Sequence, residues 1–373
     1  MSYTTENIKN VSIAGHGQTG KTTLFEGLLF AGGALARPET VDSGKTVSDH
    51  TAEEIERKIS IHAALGHVER GGKKINLFDT PGSSDFTGDV ILSFRAAEFA
   101  LLLVDGRDGV QIETVKLWRN LEGREKPRGV FLNKLDDERA DFDRVLSDIR
   151  DKLKREPVPV TIPMGTGAAF KGVIDVLNGK AYLAGAGGVE KEGPVPEEFR
   201  AACDAARERL IEAAAEGDDT LMEKYVDQGS LSPEEMHTGL IEALAENKFL
   251  PAFAGSALSG SGLVPFLDFI ADVGPSPLTA RDTARSPGSP DSSNGAEIKV
   301  PIDPAKPFSA LVIKTSYDQF SGKLSWVKVI SGTLAADSEA QNVSENKKER
   351  IGKLYVCQGK KLEEVKELAA GDV

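Results

Sequence analysis

The stretch Gly15-His16-Gly17-Gln18-Thr19-Gly20-Lys21-Thr22 has the Gly-x-x-x-x-Gly-Lys-Thr spacing of a phosphate-binding loop. The residue types state the chemistry. Glycines let the backbone curl so that successive N–H groups point inward at a polyphosphate. The positive end of a following helix adds to that attraction. Lys21 can reach the β- and γ-phosphates and the Thr22 hydroxyl can hold magnesium, with Thr23 beside them at the helix start. The competing reading is a Gly-rich strand-to-helix turn that fits the spacing by accident.

Three further short stretches could act on the same ligand. Lys74-Ile75-Asn76-Leu77-Phe78 runs into Asp79-Thr80-Pro81-Gly82. An aspartate at the carboxyl end of a buried strand can sit beside phosphates and hold magnesium through water. Gly82 leaves an N–H free to meet a γ-phosphate. Taken alone, an Asp N-cap before a Pro-started turn explains this stretch equally well; after a phosphate loop, the nucleotide reading is preferred. Asn133-Lys134-Leu135-Asp136 suits a guanine base. The Asp136 carboxylate can accept from guanine N1–H and N2–H₂, which adenine does not offer. The Asn133 amide can bond the N7/O6 edge, and the Lys134 stem can lie over the ring. On its own, a helix cap at Asp136 or Asp137 serves as well, because Glu138 onward reads as helix. Small residues in Ser256-Ala257-Leu258 let backbone N–H groups approach the guanine O6, although the tripeptide alone carries almost no information.

Such loops work only if strands deliver them to one place. Residues 8 to 15 read as a buried strand, and a helix follows the phosphate loop to about Ala31. Gly32 to Thr51 has no period and is too long for a mere connection, which makes it a mobile loop or a ligand lid. Ile59, Ile61, Ala63 and Leu65 alternate like a half-buried strand, and Gly71-Gly72 turns the chain into its partner, residues 74 to 78. Phe99 to Val104 and Gly129 to Leu132 are further buried strands, with an amphipathic segment from Val110 to Leu121 between them. Pro157 to Pro163 is extended, and an Asn178-Gly179 turn joins residues 172–176 to 180–183 as a hairpin. Pro196 to about Glu246 is helical, acidic and Ala-rich, with its charges on a solvated face. Leu250 to Gly255 is another strand, and Leu263 to Ala271 a closing helix. Gly274 to Pro307 clusters Pro, Ser, Gly and Asp, the composition of a linker. Beyond it, residues 308–314 and 324–330 alternate with period two, with a turn at Gly332, and suggest a β-barrel that the chain leaves unclosed at Val373.

The totals narrow the class. At 373 residues the chain has room for two or three domains, and 40% hydrophobic with 28% charged residues is ordinary globular composition. A net charge of −13 argues against electrostatic binding of DNA or RNA by the chain as a whole. Two cysteines, Cys203 and Cys357, are too sparse for a disulfide framework and suit a reducing compartment. The polar N-terminus lacks the apolar core of a signal peptide, and the longest apolar run, Phe99 to Val104, is far too short for a bilayer. A cytoplasmic monomer with no membrane partner is expected.

The four motifs come in a fixed order, each ending a predicted strand, where an open α/β sheet places its ligands. In that order they resemble the translational GTPases, most closely elongation factor G and its paralogues. Glu54-Ile55-Glu56-Arg57-Lys58-Ile59-Ser60-Ile61 is similar to that family's Glu-Gln-Glu-Arg-Gly-Ile-Thr-Ile segment, and Glu113-Thr114-Val115 with Trp118-Arg119 is similar to its helix after the third motif. The region from Pro157 to Tyr182 resembles the insertion of elongation factor G, and residues 300 to 373 the start of its barrel domain. The resemblance implies a P-loop GTPase domain, α/β with a mostly parallel sheet and helices on both faces, over residues 1–280. An α+β insertion at about 158–250, a linker at 281–299 and the first part of a β-barrel domain at 300–373 complete it. The chain reads as the front part of a longer protein.

Further implications follow from the resemblance. GTP or GDP and magnesium are the cofactors, and the ribosome, through rRNA and ribosomal proteins, is the partner. Ser60 stands at the switch threonine and joins Thr22 and Asp79 around magnesium, Asp79 through a water. Four departures stand out. Ser83 occupies the position of the family's water-positioning His beside Gly82, and in a reaction catalysed by positioning such a loss can cost orders of magnitude. Ser60 lacks the β-methyl that stiffens threonine. Lys58 replaces a Gly, and Gln18 replaces the Asp that helps some members hold a monovalent cation. The leading expectation is a GTP-hydrolysing elongation factor G-like switch, slow without the ribosome. The alternative is a GTP-binding regulatory module with little turnover, which Ser83 favours. Asp136→Asn is expected to shift base preference from guanine toward xanthine; unchanged GTP affinity in calorimetric titration of that variant would remove the base-recognition assignment.

Overall fold

The computed structural model describes residues 3–280, 283–285, 297–318 and 322–373. Its centre is a seven-stranded sheet. The strands run β1 (Ile8–Gly15), β2 (Ala64–Arg70), β3 (Lys73–Asp79), β4 (Phe99–Asp105), β5 (Arg128–Asn133), β6 (Val158–Pro159) and, after an excursion, β11 (Pro251–Ala254). Their spatial order is β2-β3-β1-β4-β5-β11-β6. All neighbours are parallel except the β2–β3 hairpin. Every residue of β1, β4 and β5 is buried, as parallel strands covered on both faces must be. The helices that cover them are α1 (Lys21–Ala31), α3 (Thr87–Ala96), α4 (Ile112–Glu122), α5 (Phe142–Leu153) and α9 (Leu263–Asp272). Phe253 and Phe266 meet edge to face at 5.1 Å where β11 supports α9.

Two local expectations are corrected. The strand predicted from Ile59 starts at Ala64. The preceding residues spend their backbone donors on side chains: Glu54 accepts from Ile61 and His62, and Asp89 from Ala63. Ahead of them lies a short helix, α2 (Ala52–Arg57), closed by a capping box in which Thr51 and Glu54 satisfy each other's backbone N–H groups. The helix predicted from Glu138 begins at Phe142, and Asp141, not Asp136 or Asp137, caps it by accepting from the Arg144 N–H.

The excursion carries an antiparallel sheet of β7 (Thr161–Pro163), β8 (Gly172–Asp175), β9 (Lys180–Leu183) and β10 (Lys191–Pro194), with the expected turn at Asn178-Gly179, where Gly179 has φ +65°. Helices α6 (Arg200–Ala215), α7 (Asp219–Gln228) and α8 (Pro233–Ala245) follow. Most of the expected linker, including Ser286 to Gly295, lies outside the described residues; a short pair, β12 (Thr283–Arg285) and β13 (Glu297–Lys299), flanks it. The C-terminal unit is β-rich. It pairs β14 (Ser309–Asp318) with β15 (Gly322–Ser331), β16 (Thr333–Ala335) with β21 (Glu367–Ala369), β17 (Glu339–Asn342) with β18 (Lys347–Arg350), and β19 (Leu354–Gln358) with β20 (Lys361–Val365). Ile302, Val329, Leu334, Leu354 and Leu368 form its small core. Cys203 and Cys357 are both free thiols, and no described helix is long and apolar enough to cross a membrane.

The β-rich unit is joined to the amino ends of the central strands by buried charge. Lys328, 0% exposed, donates to Glu98 at 2.8 Å and to the Ala96 carbonyl at 2.9 Å. Lys74 donates to both oxygens of Asp372 at 2.8 Å. Asn10 and Asn76 bridge the two pairs through Glu98, Asp372 and each other. Removing one partner of such a pair is far more damaging than replacing both. Glu98→Ala is therefore expected to lower urea-measured stability by about 3–5 kcal/mol, and a Glu98→Leu, Lys328→Met double variant to recover most of it. Equal losses in the two proteins would remove the account.

Candidate nucleotide-binding site

The carboxyl ends of β1, β3, β5 and β11 converge, and each of the four sequence motifs leaves from one of them. The phosphate loop follows β1. Gly20, with φ +95°, ends it in a conformation that disfavours a side chain, and a Cβ there would lie 2.5 Å from the Asn133 amide nitrogen. Gly82 passes so close over the loop that a Cβ on it would land on the Lys21 ammonium and 2.9 Å from the Gly17 Cα. The Asp79-Thr80-Pro81-Gly82 backbone is thus seated against the phosphate loop, with the Thr80 hydroxyl donating to the Ile13 carbonyl at 2.8 Å. Lys21 turns into the loop and donates to the His16 carbonyl at 2.9 Å, and Thr19 closes the same carbonyl through its hydroxyl.

The three predicted magnesium ligands are together. The Thr22 hydroxyl donates to Asp79 at 2.8 Å and lies 3.1 Å from the Ser60 hydroxyl. A fourth group, Asp49, joins them. It is 4% exposed, and its carboxylate lies beside the Ser60 hydroxyl, as that of Asp79 lies beside Ser48; among the described residues neither oxygen of Asp49, nor Oδ1 of Asp79, completes a well-formed hydrogen bond. Burial pushes the carboxyl of Asp79 well above its usual range, and the nearby charge of Asp49 pushes the same way. Burial also raises Asp49 and lowers Lys21. Burial disfavours the ionised forms of the two acids and of Lys21, and a bound cation would favour the ionised acids again. An all-oxygen set with orphaned buried carboxylate atoms fits a hard divalent cation such as magnesium. Sequence reasoning missed Asp49, which lies in an aperiodic loop that offered no signal.

On the base side, Asn133 is a tether. Its Nδ2 donates to the Thr19 carbonyl at 2.7 Å, and its Oδ1 accepts from the N–H groups of Ala257 at 2.8 Å and Lys134 at 2.9 Å. Both ends expected to read the N7/O6 edge, the Asn133 amide and the Ala257 N–H, are bonded to each other. Lys134, with φ +64°, reaches across to the Gln18 carbonyl at 2.6 Å and to Asp105 at 2.7 Å. Arg107 grips Asp105 through two hydrogen bonds of 2.8 and 2.9 Å and also reaches Asp137. Burial works against an ionised Asp105, but Arg107 and Lys134 outweigh it and hold the carboxyl below its usual range. The position of Asp105, ending β4 level with Asn133, was the available signal for this cluster. Asp136 is half-buried and makes no hydrogen bond or ion pair with any described residue, which leaves its carboxylate available. Ser256 is buried, bonded through its N–H to Ser261, while the Leu258 side chain is 76% exposed. Ser83 caps a short turn, accepting from the Asp85 N–H at 3.3 Å.

A mostly parallel sheet of the P-loop GTPase kind, with four loops gathered at the carboxyl ends of its strands, is the class that this geometry defines. Residues 6–276 match the model of the elongation factor Tu GTP binding domain, and residues 307–373 that of elongation factor G domain 2. Elongation factor G 2 of Desulfotalea psychrophila is 36% identical over 99% of this chain and 53% of its own length. A crystal structure from Thermus thermophilus aligns with a TM-score of 0.85 at 30% identity, over 98% of this chain and 52% of that one. The chain belongs to the elongation factor G-like family of translational GTPases. It spans about half the length of the relatives it matches.

Asn133→Ala strands the Thr19 carbonyl and the Ala257 N–H, each worth about 1–3 kcal/mol when left unpaired. GDP affinity measured by calorimetry is expected to fall at least about tenfold with an unchanged circular dichroism spectrum. Wild-type affinity would show that the tether does not shape the site.

Proposed function

We propose that the protein is a cytoplasmic GTP/GDP switch that hydrolyses GTP and acts on the ribosome through the full-length molecule. The reading assigns a GTP-binding domain to residues 1–280 with its insertion at about 158–250, and a separate β-domain to residues 300–373. One observation carries it: Lys21, Thr22, Ser60, Asp79 and Asp49 converge in one buried pocket, with the Thr22 hydroxyl between Asp79 and Ser60.

In this reading the loop N–H groups and Lys21 exchange their contact with the His16 carbonyl for the β- and γ-phosphates. Thr22, Ser60 and Asp79 hold magnesium, Asp79 through water, and the bound ion supplies positive charge against the phosphate oxygens. Gly82 approaches the γ-phosphate with its backbone. Asp136 accepts from the guanine N1–H and N2–H₂ while Lys134 flanks the ring. Asn133 keeps the phosphate loop and the Ser256-Ala257-Leu258 loop in register. GTP keeps the 32–60 loop closed over the site, and loss of the γ-phosphate releases it. Ser83 accepts from its own turn and is too short to reach as a His would, and an unstimulated rate below that of a His-bearing site follows.

A GTP and GDP titration followed by hydrolysis with and without ribosomes on the full-length protein tests the reading. Micromolar or tighter guanine-nucleotide binding and ribosome-stimulated hydrolysis are expected. Ser83→His should raise the unstimulated rate about tenfold or more. Absence of guanine-nucleotide binding would end the proposal, and an unchanged rate in Ser83→His would mean that water is held elsewhere.

A further inference from the structure

Glu26 lies one helical turn beyond Thr22 on α1, so it projects from the same stretch of helix as the hydroxyl assigned to magnesium. It is 1% exposed. A carboxylate so buried needs partners, and it finds them in the backbone of the 32–60 loop. Oε1 accepts from the Val47 N–H, and Oε2 from the Glu39 N–H at 3.2 Å. Val47 is also closely approached from the other side. The Gly359 backbone, in the turn between β19 and β20, approaches the Val47 carbonyl so closely that a Cβ there would overlap it. Immediately beyond Val47 and Ser48, Asp49 enters the magnesium pocket, and beyond α2 Ser60 does the same.

We propose that Glu26 is a positioning residue of the GTP-bound state. It holds residues 39–47 on α1 and so delivers Asp49 and Ser60 to the cation. The inference rests on the GTP-switch reading above. The clamp is reversible by construction. Opening the loop lets water solvate the carboxylate; closing it exchanges that water for two backbone donors, a nearly balanced trade that a bound γ-phosphate and magnesium can tip. One helix then couples the ligand to the loop at two points, Thr22 through the cation and Glu26 through the backbone.

The test uses the full-length protein with GDP or a non-hydrolysable GTP analogue over a magnesium titration. Trypsin cleavage at exposed Lys45 and Arg57 and residue-resolved hydrogen exchange across 39–60 are the readouts. In the wild type, the Glu39 and Val47 amides should exchange more slowly with the analogue than with GDP. In Glu26→Gln, which keeps the side-chain shape, the magnesium concentration that protects the loop should rise about tenfold, and in Glu26→Ala further. GDP affinity reports folding of the variants. Equal exchange of the two amides in both nucleotide states overturns the inference without recourse to any variant. Wild-type protection at wild-type magnesium in both variants overturns it as well. A wild type that binds no guanine nucleotide brings down the function reading and this inference together, whereas one that binds and closes normally while the variants match it brings down this inference alone.

Discussion

The hydrogen bond from Thr22 to Asp79 ties the first residues of a helix to the last residue of a strand. It fixes where α1 begins relative to the end of β3, and with that the height of Lys21 above the loop and of Gly82 over Gly17. The bond is buried, and only one oxygen of Asp79 takes part in it. Asp79 and the neighbouring Asp49 place two buried acids beside a single lysine, and burial disfavours the charge of all three. Such a cluster is costly in an ordinary core. It is tolerable where a ligand completes the set, and the strands, helices and loops around it serve to keep the set dry and aligned until it does.

The opposite end of the same sheet solves its charge problem internally. Glu98, Lys328, Lys74 and Asp372 are as buried as the ligand site, but each finds its counter-ion within the protein. The counter-ions come from the β-rich unit, which is thereby keyed to one orientation. The same unit touches the ligand side at two places. Lys314 pairs with Asp89 on α3 at 2.5 Å, and Asp89 also accepts from Ala63 at the end of the 32–60 loop. Gly359 donates to the Leu65 carbonyl at 2.8 Å while Gln358 accepts from the His67 N–H, so the exposed edge of β2 is covered. The end of the loop and the second unit thus share Asp89 as a common partner.

What could be read from the sequence was set by how local the physics is. The fully buried strands β1, β4 and β5 announce themselves as apolar runs, and the Asn178-Gly179 turn as a hairpin, because both depend on neighbouring residues alone. The four motifs were legible for the same reason. The start of β2 was not, because the alternation of Ile59, Ile61 and Ala63 was outvoted by carboxylates from elsewhere, Glu54 and Asp89, that captured the backbone donors. The helix α2 was overlooked although Thr51 and Glu54 spell a capping box. The roles of Asn133 and Asp49 depend on partners distant in sequence, Thr19 and Ala257 for one and the pocket around Asp79 for the other. No pattern within a window of neighbours could reveal them.

Lys328 carries one more implication. An ammonium with no exposure at all has nowhere to go unless Glu98 and the Ala96 carbonyl are already in place. The acceptors belong to the connection between α3 and β4, near the middle of the central sheet, whereas the lysine emerges from the chain much later. The base of the β-rich unit is therefore complete only when it rests on the amino-terminal layer. The two units thus share a single electrostatic seam, and neither keeps its buried ion pairs satisfied without the other.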